Sequence, residues 1–395
     1  MISRWRKDTP GCDALAHLNN AGASLTPRVV HQTVAAHLRL EDELGGYEAF
    51  EASVEAIRRA YEDVGTLLGT RGRNIAFTQN STLAFMQALE AFDFAPGDVI
   101  VTSNSDYASN QIMYISLSRR RGVEVVRAPD APEGGVDPEA VRSLLNRRKV
   151  TLVALTWVPT NSGLVQPIEA IGAICRSREV PYLVDACQAV GQIPIAVERV
   201  QCDYLAGTAR KFLRGPRGIG FLYVSDRAIA AGAHPLLVDM HGARWTEADA
   251  FELAPDARRF ESWEMSAALL LGIGAAARYA LDVGIETAKD QCRALAAYAR
   301  ERLAAVPEVR VLDRGAELCA IVTIRPGGLD AADVKLRLRA RGINTSSPDR
   351  SDAVIDMDAK GTTSALRISP HYYNTRTEID AAVAALGEIL LESNR

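Results

Sequence analysis

The chain has 395 residues, of which 48% are hydrophobic and 24% charged, the balance of a soluble globular protein with a sizeable core. A formal net charge of −4 does not favour a general nucleic-acid binder, which usually carries a basic face. No stretch approaches the ~20 consecutive apolar residues of a membrane helix, and no apolar run behind the basic N-terminus indicates a secretory signal. The 6 cysteines lack CxxC or other metal-ligand spacing. We therefore expect a reduced, cytoplasmic protein without a membrane partner, a nucleic-acid partner or a bound metal.

From about residue 70 to 225, short apolar runs alternate with amphipathic segments. The apolar runs predict strands at Val99–Thr102, Val123–Arg127, Leu152–Thr156, Tyr182–Val184, Tyr204–Ala206 and Ile219–Val224. The amphipathic segments predict helices at Ser81–Phe92, Ser109–Arg119, Pro138–Asn146 and Pro167–Arg176. This alternation favours an α/β fold whose mostly parallel sheet is covered on both faces. In such sheets, ligands bind at the carboxyl ends of the strands.

The pattern changes after about residue 283 and predicts a smaller α+β domain at the C-terminal end. The predicted elements are a long helix at Ile285–Val306, strands at Glu308–Leu312 and Cys319–Ile324, and helices at Ala331–Ala340 and Glu378–Glu392. The segment 225–265 has no strong period and is interpreted as a bridge between the two parts. We therefore expect a large domain over residues 26–282 and a small one over residues 283–395.

A carboxylate and an amine are predicted at the ends of neighbouring strands in the segment 182–224. Asp185 ends one apolar run, and Lys211 follows the next run in a glycine-containing loop, so both should reach the carboxyl edge of the sheet. A lysine amine can hold the aldehyde of pyridoxal 5'-phosphate (PLP) as an imine, and a buried carboxylate keeps the pyridine nitrogen protonated. Either residue alone is more simply a helix-end acid or a solvated loop charge. The pair in this arrangement indicates a PLP enzyme.

The motifs around this pair resemble the class V, or cysteine-desulfurase-like, branch of the fold-type I PLP enzymes over nearly the whole chain. The resemblance implies a fold-type I PLP-dependent transferase with a large, mostly parallel sheet of the seven-stranded type and a smaller α+β C-terminal domain. It also implies that Asp185 pairs with the pyridine nitrogen, that Gln188 faces the phenolic oxygen of the ring, and that Thr208 donates to the phosphate. Arg210 stands where many relatives carry histidine and is implied as a phosphate ligand.

Three further segments are implied to bind the cofactor. Asn80, Ser81 and Thr82 open a predicted helix whose N–H groups suit a phosphate, although a simple helix cap would also explain them. Tyr107 occupies the place where relatives carry an aromatic residue or histidine stacked on the ring, and ordinary packing is the alternative. In the loop after the run 152–156, Asn161 is the candidate that lies near the cofactor oxygen, with the preceding threonine a close second.

The remaining motifs are implied to bind an amino acid substrate or to cross an interface between two copies. Arg367 lies in a pattern like R-x-S-x-x-x-Y-N-T and resembles the arginine that grips the substrate carboxylate, with a surface salt bridge as the alternative. Asn20 and Ala21 lie in residues 1–25, which resemble an N-terminal segment that lines the active site. Ser262 and Trp263 correspond to a stretch that reaches the phosphate of the partner subunit, while Trp263 is equally suited to anchor the interface. A homodimer with shared active sites is implied.

The expected reaction depends on the absence of a cysteine from one segment of the small domain. Cysteine desulfurases carry a mobile thiol in the small domain, but the comparable segment 341–352 contains no cysteine. Cys319 falls inside a predicted apolar strand, where burial disfavours the thiolate. Persulfide formation is therefore not expected, which leaves β-elimination, transamination or racemisation. The resemblance to C–S lyases, including hercynylcysteine sulfoxide lyases, favours elimination from a cysteine conjugate with release of pyruvate and ammonia. A class V aminotransferase and an isopenicillin N epimerase-like enzyme are the alternatives.

Overall fold

The structure is a computed structural model that describes residues 1–393. Its strands are Ala16–His17 (β1), Ile75–Thr78 (β2), Val99–Thr102 (β3), Glu124–Arg127 (β4), Leu152–Thr156 (β5), Tyr182–Asp185 (β6), Tyr204–Thr208 (β7), Gly220–Val224 (β8), Ala243–Glu247 (β9), Ala250–Leu253 (β10), Val309–Val311 (β11), Val322–Pro326 (β12), Ile343–Asn344 (β13) and Leu366–Ile368 (β14). Its α-helices are Ile2–Lys7 (α1), Arg28–Leu44 (α2), Gly46–Leu67 (α3), Ser81–Glu90 (α4), Ala108–Arg121 (α5), Pro138–Arg147 (α6), Ile168–Ser177 (α7), Val197–Val200 (α8), Asp226–Ala230 (α9), Ala267–Val283 (α10), Ile285–Ala304 (α11), Ala331–Ala340 (α12), Val354–Lys360 (α13) and Arg376–Ser393 (α14).

Seven strands form the central sheet in the order β2-β8-β7-β6-β5-β3-β4. Only β8 runs antiparallel to its neighbours, and the other pairs are parallel. Alternate residues of a strand enter different hydrophobic clusters: Leu152 and Ala154 enter one, and Val153 and Leu155 enter the other. Both faces of the sheet are therefore buried, which explains the continuous apolar runs in the sequence. The predicted α/β fold with a mostly parallel, seven-stranded sheet is confirmed.

Local prediction failed at two strands. The sequence analysis predicted no strand before Val99, but Ile75–Thr78 form β2, which pairs with β8 at the edge of the sheet. Cys319 does not lie in a strand, because β12 begins at Val322. It is nevertheless buried, and its backbone N–H donates to the Gly163 carbonyl at 2.7 Å. Short runs of four or five residues carry too little pattern to fix such boundaries.

A second sheet, of three antiparallel strands in the order β11-β12-β14, lies in the C-terminal part of the chain. Helices α11 and α12 contact its strands, and α14 contacts both helices. The N-terminal segment joins this part, since β1 pairs with β13 in parallel and Asn19 forms a bridge with Ser369. The division into residues 1–25, 26–282 and 283–395 remains a prediction.

The segment 225–265 is more than the bridge that its lack of period suggested. It contains α9 and the hairpin β9–β10, and it returns to the large sheet at Glu261. The buried Glu261 carboxylate accepts hydrogen bonds from the Phe77 N–H at 2.6 Å and from the Tyr61 hydroxyl at 3.0 Å. Helix α10 then contacts α2 and α3 and meets α11 at 79°. Within residues 1–393 no single helix is long and apolar enough to cross a membrane; only the bent pair α10–α11 passes that test, by length and composition alone.

Candidate active site

A cavity lies at the carboxyl edge of the central sheet, where β5, β6 and β7 end. Its lining residues are Asn80, Ser81, Thr82, Tyr107, Thr156, Val158, Thr160, Asp185, Cys187, Gln188, Thr208, Arg210 and Lys211. Most of the cofactor residues predicted from the sequence therefore come together, while Asn161, Ser262 and Trp263 are not among the lining residues. A larger groove opens at the amino ends of β6 and β7, beside Pro181 and Tyr204. Lys211 does not line that groove, so we place the chemistry at the carboxyl edge.

Lys211 lies in the loop that follows β7, and its side chain is buried. The loop is closed by a hydrogen bond from the Arg214 N–H to the Lys211 carbonyl at 2.9 Å. Burial lowers the pKa of Lys211, and the positive charges of Arg210 and Arg367 act in the same direction. Its Nζ lies 5.8 Å from the centroid of the Tyr107 ring. A buried amine with a depressed pKa is more readily neutral and thus able to act as a nucleophile or base.

Asp185 is held in one orientation at the end of β6. Its Oδ1 accepts a hydrogen bond from the Cys187 N–H at 2.9 Å, and its Oδ2 accepts one from Asn110 Nδ2 at 3.0 Å. The carboxylate is buried but remains on the cavity wall. A fixed carboxylate at this position can pair with a protonated ring nitrogen.

The start of helix α4 forms one wall of the cavity. Asn80 caps the helix, because its Oδ1 accepts the Leu83 N–H at 2.9 Å, so the capping interpretation is correct for this residue. Ser81 is buried, and its hydroxyl accepts a hydrogen bond from the Cys187 thiol at 2.8 Å. A side chain at Gly220 would bring its Cβ within 2.6 Å of the Ser81 nitrogen, so β8 can approach the helix start only with glycine there. Unpaired N–H groups of a first helical turn, together with the helix dipole, suit an anion.

The N-terminal segment closes the cavity from another side. Gln188 Nε2 donates to the Ala21 carbonyl at 3.0 Å, and the Arg210 guanidinium donates to the Gly22 carbonyl. Gln188 Oε1 and Asn161 Oδ1 are buried and have no hydrogen-bond partner. A buried polar atom without a partner costs roughly 1–3 kcal/mol, so such atoms commonly indicate a site that a ligand completes.

Arg367 reaches the same region from β14. Its Nη1 donates to the Thr160 carbonyl at 3.1 Å and its Nη2 to Asn19 Oδ1 at 3.3 Å, while its Nε has no partner. Burial lowers the pKa of Arg367 to about 10, and the charge of Asp352 opposes that shift. Both recorded partners of this cation are neutral oxygens. The arrangement leaves Arg367 able to bind a carboxylate.

Two groups of predicted residues lie outside the cavity lining. The Asn20 side chain donates to the Ser369 carbonyl at 2.7 Å and accepts from the Tyr373 hydroxyl, so it ties the N-terminal segment to the C-terminal part. Ser262 and Trp263 directly follow Glu261 and are not among the residues that line the cavity. Trp263 is 52% exposed, and its backbone N–H donates to Asp239 at 2.7 Å.

Several side chains with direct contacts to the site were missed by sequence analysis. Asn19, rather than Asn20, contacts Arg367, and Asn110 rather than a strand residue fixes Asp185. Cys187 lines the cavity and bonds to Ser81, but it was not among the site residues predicted from the sequence. The one sequence signal that could have identified Cys187 is its position two residues after Asp185.

Comparison with known proteins agrees with this geometry. The model of the family "Aminotransferase class-V" matches residues 16–382. The chain belongs to this family. A probable hercynylcysteine sulfoxide lyase of Mycobacterium tuberculosis is 29% identical over 98% of this chain and 93% of its own length. A probable cysteine desulfurase of Methanothermobacter thermautotrophicus is 27% identical, with 97% of each chain covered.

A solved structure shows the same fold for this class-V enzyme. The apo structure of a cysteine desulfurase from Thermococcus onnurineus NA1 matches with a TM-score of 0.89 at 24% identity, over 99% of this chain and 98% of that one. The predicted family and its PLP cofactor are confirmed. The residues present fit PLP: a buried amine, a fixed carboxylate, a helix start and two unpaired amide oxygens, Gln188 Oε1 and Asn161 Oδ1, all belong to one region.

Proposed function

We propose that this class-V enzyme is a C–S lyase that performs β-elimination on a cysteine conjugate. In the overall reaction, a conjugate and water yield pyruvate, ammonia and a thiol that keeps its organic group. The substrate class is supported by the names of the two relatives, a sulfoxide lyase and a cysteine desulfurase. The choice of elimination rests on the segment 341–352, which carries no thiol.

That segment is ordered and tied to the strand that carries Arg367. Backbone hydrogen bonds join Ser346 and Arg367 in both directions, at 2.7 and 3.1 Å. Further along, the Ala365 N–H donates to the Pro348 carbonyl at 3.0 Å. Hydroxyl groups of serine and threonine cannot accept sulfur as a persulfide, so the sulfur must leave together with its organic group.

We assign the cofactor to the residues of the cavity. When bound, PLP withdraws electron density from the substrate Cα. Lys211 would hold its aldehyde carbon, Asp185 its ring nitrogen, and Gln188 and Asn161 its ring oxygen, with Tyr107 against the ring face. The phosphate would be held by Asn80, Ser81, Thr82, Thr208 and Arg210.

The substrate is held and deprotonated by two basic side chains. Arg367 binds the α-carboxylate, and Asn19 orients its guanidinium. Asn20 and Ala21 support this contact through the N-terminal segment, since the Ala21 N–H donates to Ser369 Oγ at 2.9 Å. Lys211, once released, takes the Cα proton, and the C–S electron pair leaves with the sulfur. The depressed pKa of Lys211 suits this task because a neutral amine is the proton acceptor.

The test is a product assay on purified holoenzyme with S-alkyl and S-aryl cysteines and their sulfoxides. We expect equal amounts of pyruvate and ammonia, together with a thiol from each S-alkyl or S-aryl cysteine and a sulfenic acid from each sulfoxide. Transfer of the amine to a keto acid would instead identify an aminotransferase, and inversion at Cα without cleavage would identify an epimerase. Lys211→Ala is the control, because it should lose both turnover and the PLP that borohydride traps covalently. Equal trapping in this variant would disprove the role of Lys211.

We also propose a cytoplasmic homodimer with shared active sites. Apolar side chains are exposed along the segment 236–263, including Leu237 at 83%, Met240 at 71% and Trp263 at 52%. Ser262 and Trp263 would complete the partner's site from this surface. Mixing Lys211→Ala with Trp263→Ala should restore activity in heterodimers, since one of the two shared sites is then intact. A fully active monomer in analytical ultracentrifugation would contradict the proposal. The free state of all 6 cysteines suits a reducing compartment.

A further inference from the structure

A second buried carboxylate, Asp106, lies behind Asp185. Asn110 joins the two, since its Nδ2 donates to Asp185 Oδ2 at 3.0 Å and to Asp106 Oδ1 at 3.1 Å. An amide nitrogen carries two hydrogens and can serve both carboxylates at once. Direct contact between the two acids would be repulsive, so the amide acts as a neutral spacer.

Asp106 is surrounded by hydrogen-bond donors but by no cation. The donors are the Tyr107 N–H (2.7 Å), Thr102 Oγ1 (2.9 Å), Asn110 Nδ2 (3.1 Å), Gln111 Nε2 (3.2 Å) and Thr156 Oγ1. Within residues 1–393, no lysine, arginine or histidine forms a hydrogen bond or ion pair with it. Three of these groups are N–H donors, and the two threonine hydroxyls can also donate, so all five can serve an ionised carboxylate.

The same carboxylate orders two parts of the proposed cofactor site. Asp106 is linked to Asp185 by the Asn110 side chain, which donates to both carboxylates. Asp106 also accepts a hydrogen bond from the backbone N–H of Tyr107, the residue that precedes helix α5. Thr156, at the end of β5, donates to it and lines the cavity. Burial and the negative charge of Asp185 raise the pKa of Asp106, and hydrogen bonds from Thr156, Asn110 and Thr102 offset part of that increase.

We propose that Asp106 and Asn110 are positioning residues that fix the Asp185 carboxylate and strengthen it as a partner for a protonated ring nitrogen. Asn110 sets the orientation together with the Cys187 N–H, because these donors hold Oδ2 and Oδ1 while each oxygen keeps a lone pair for a ligand. Asp106 supplies an uncompensated negative charge behind Asp185, which favours a positive charge in front of it. The proposal rests on the proposed role of Asp185. It competes with a purely structural role, in which Asp106 only stabilises the start of α5.

The experiment follows the ring nitrogen directly. Wild type and Asp106→Asn are loaded with PLP that is 15N-labelled at the ring, and the 15N resonance and the PLP dissociation constant are measured at neutral pH. We expect the variant to shift the resonance toward the unprotonated nitrogen and to bind PLP about tenfold more weakly, because a neutral amide replaces the charge. Asn104→Ala is the matched control, since Asn104 lies in the same turn but bonds to Asp130 at 3.2 Å instead.

A second variant keeps the test decisive if Asp106→Asn folds poorly. Asn110→Ala removes the spacer but keeps the charge of Asp106, so PLP should again bind more weakly while the ring nitrogen stays protonated. Unchanged 15N resonance and PLP affinity in Asp106→Asn, with only a lower Tm, would identify a structural residue and overturn the proposal. Failure of the lyase assay with intact 15N effects would instead reject the reaction alone.

Discussion

Two arginines are almost completely buried, but their surroundings differ. Arg214, just beyond the Lys211 loop, donates to the Leu25 carbonyl at 3.0 Å, to the Tyr372 hydroxyl at 2.7 Å and to Thr9 Oγ1. Its guanidinium carbon lies 4.3 to 5.7 Å from the centroids of three tyrosine rings. Arg367 has two neutral partners at longer distances, and its Nε has none.

We interpret Arg214 as a structural cation and Arg367 as the proposed binding cation. Burial lowers the pKa of both, but the tyrosines around Arg214 outweigh this effect and raise its pKa, whereas the pKa of Arg367 falls to about 10. A buried group whose donors are satisfied stabilises the fold. A buried cation with an unsatisfied donor is destabilising, and such a group is retained where a ligand supplies the missing partner.

The largest expected effect comes from changing the binding cation. Arg367→Lys keeps a positive charge but loses the two-pronged contact with a carboxylate. Because a charge-assisted hydrogen bond in a buried site contributes about 1.5–3 kcal/mol, KM should rise roughly 10- to 100-fold while PLP content stays normal. Steady-state kinetics and the PLP spectrum measure both. An unchanged KM would place the carboxylate site elsewhere.

A pH profile sharpens this result. The burial that lowers the pKa of Arg367 should also act on a lysine, whose ordinary pKa is about 10.4. Since the cationic form binds the carboxylate, binding is present below the pKa of this residue and lost above it. The ratio of KM between Arg367→Lys and wild type should therefore increase between about pH 7 and pH 9. A constant ratio would mean that this site does not desolvate its cation.

Changing the structural cation should affect stability rather than KM. Arg214→Met removes the donor that serves the Leu25 carbonyl and the Tyr372 hydroxyl, which should lower the free energy of unfolding by about 2–4 kcal/mol. Thermal and urea unfolding of holoenzyme measure the loss, and KM of the folded fraction should change less than twofold. A large KM increase with unaltered Tm would erase the distinction between the two arginines.

The contrast also explains what the sequence could and could not predict. Asp185 and Lys211 were predicted to lie together because each follows an apolar run, and the carboxyl ends of parallel strands meet at one edge of the sheet. The local pattern of apolar runs is enough for that prediction. Arg367 needed a family motif. Arg214 and Asp106 were missed since their environments come from residues far apart in the chain, such as Thr9 and Tyr372 around Arg214. No local pattern encodes such contacts, and the roles proposed for Ser262 and Trp263 would require a second chain.

The smallest expected effect concerns the thiols, of which two lie near the structural arginine and none lies in the segment beside the binding one. Arg214 is close enough to influence the pKa of Cys12 and of Cys292. The segment 344–352, beside Arg367, contains serine and threonine hydroxyls but no thiol. Burial raises the pKa of every cysteine, that of Cys12 to about 11 and that of Cys187 to about 12. Neutral thiols are poor nucleophiles, so none is suited to take sulfur from a substrate.

We therefore expect that no single Cys→Ala substitution, at positions 12, 175, 187, 202, 292 or 319, abolishes turnover. Buried positions lose packing and some stability, so activity must be normalised to folded, PLP-loaded protein. Cys187 deserves its own comparison because its thiol donates to Ser81 on the cavity wall, and Cys187→Ser, which keeps a donor, is its matched control. A cysteine variant that retains its PLP spectrum but loses all activity, with a persulfide on that cysteine in the wild type, would reverse the choice of lyase over desulfurase.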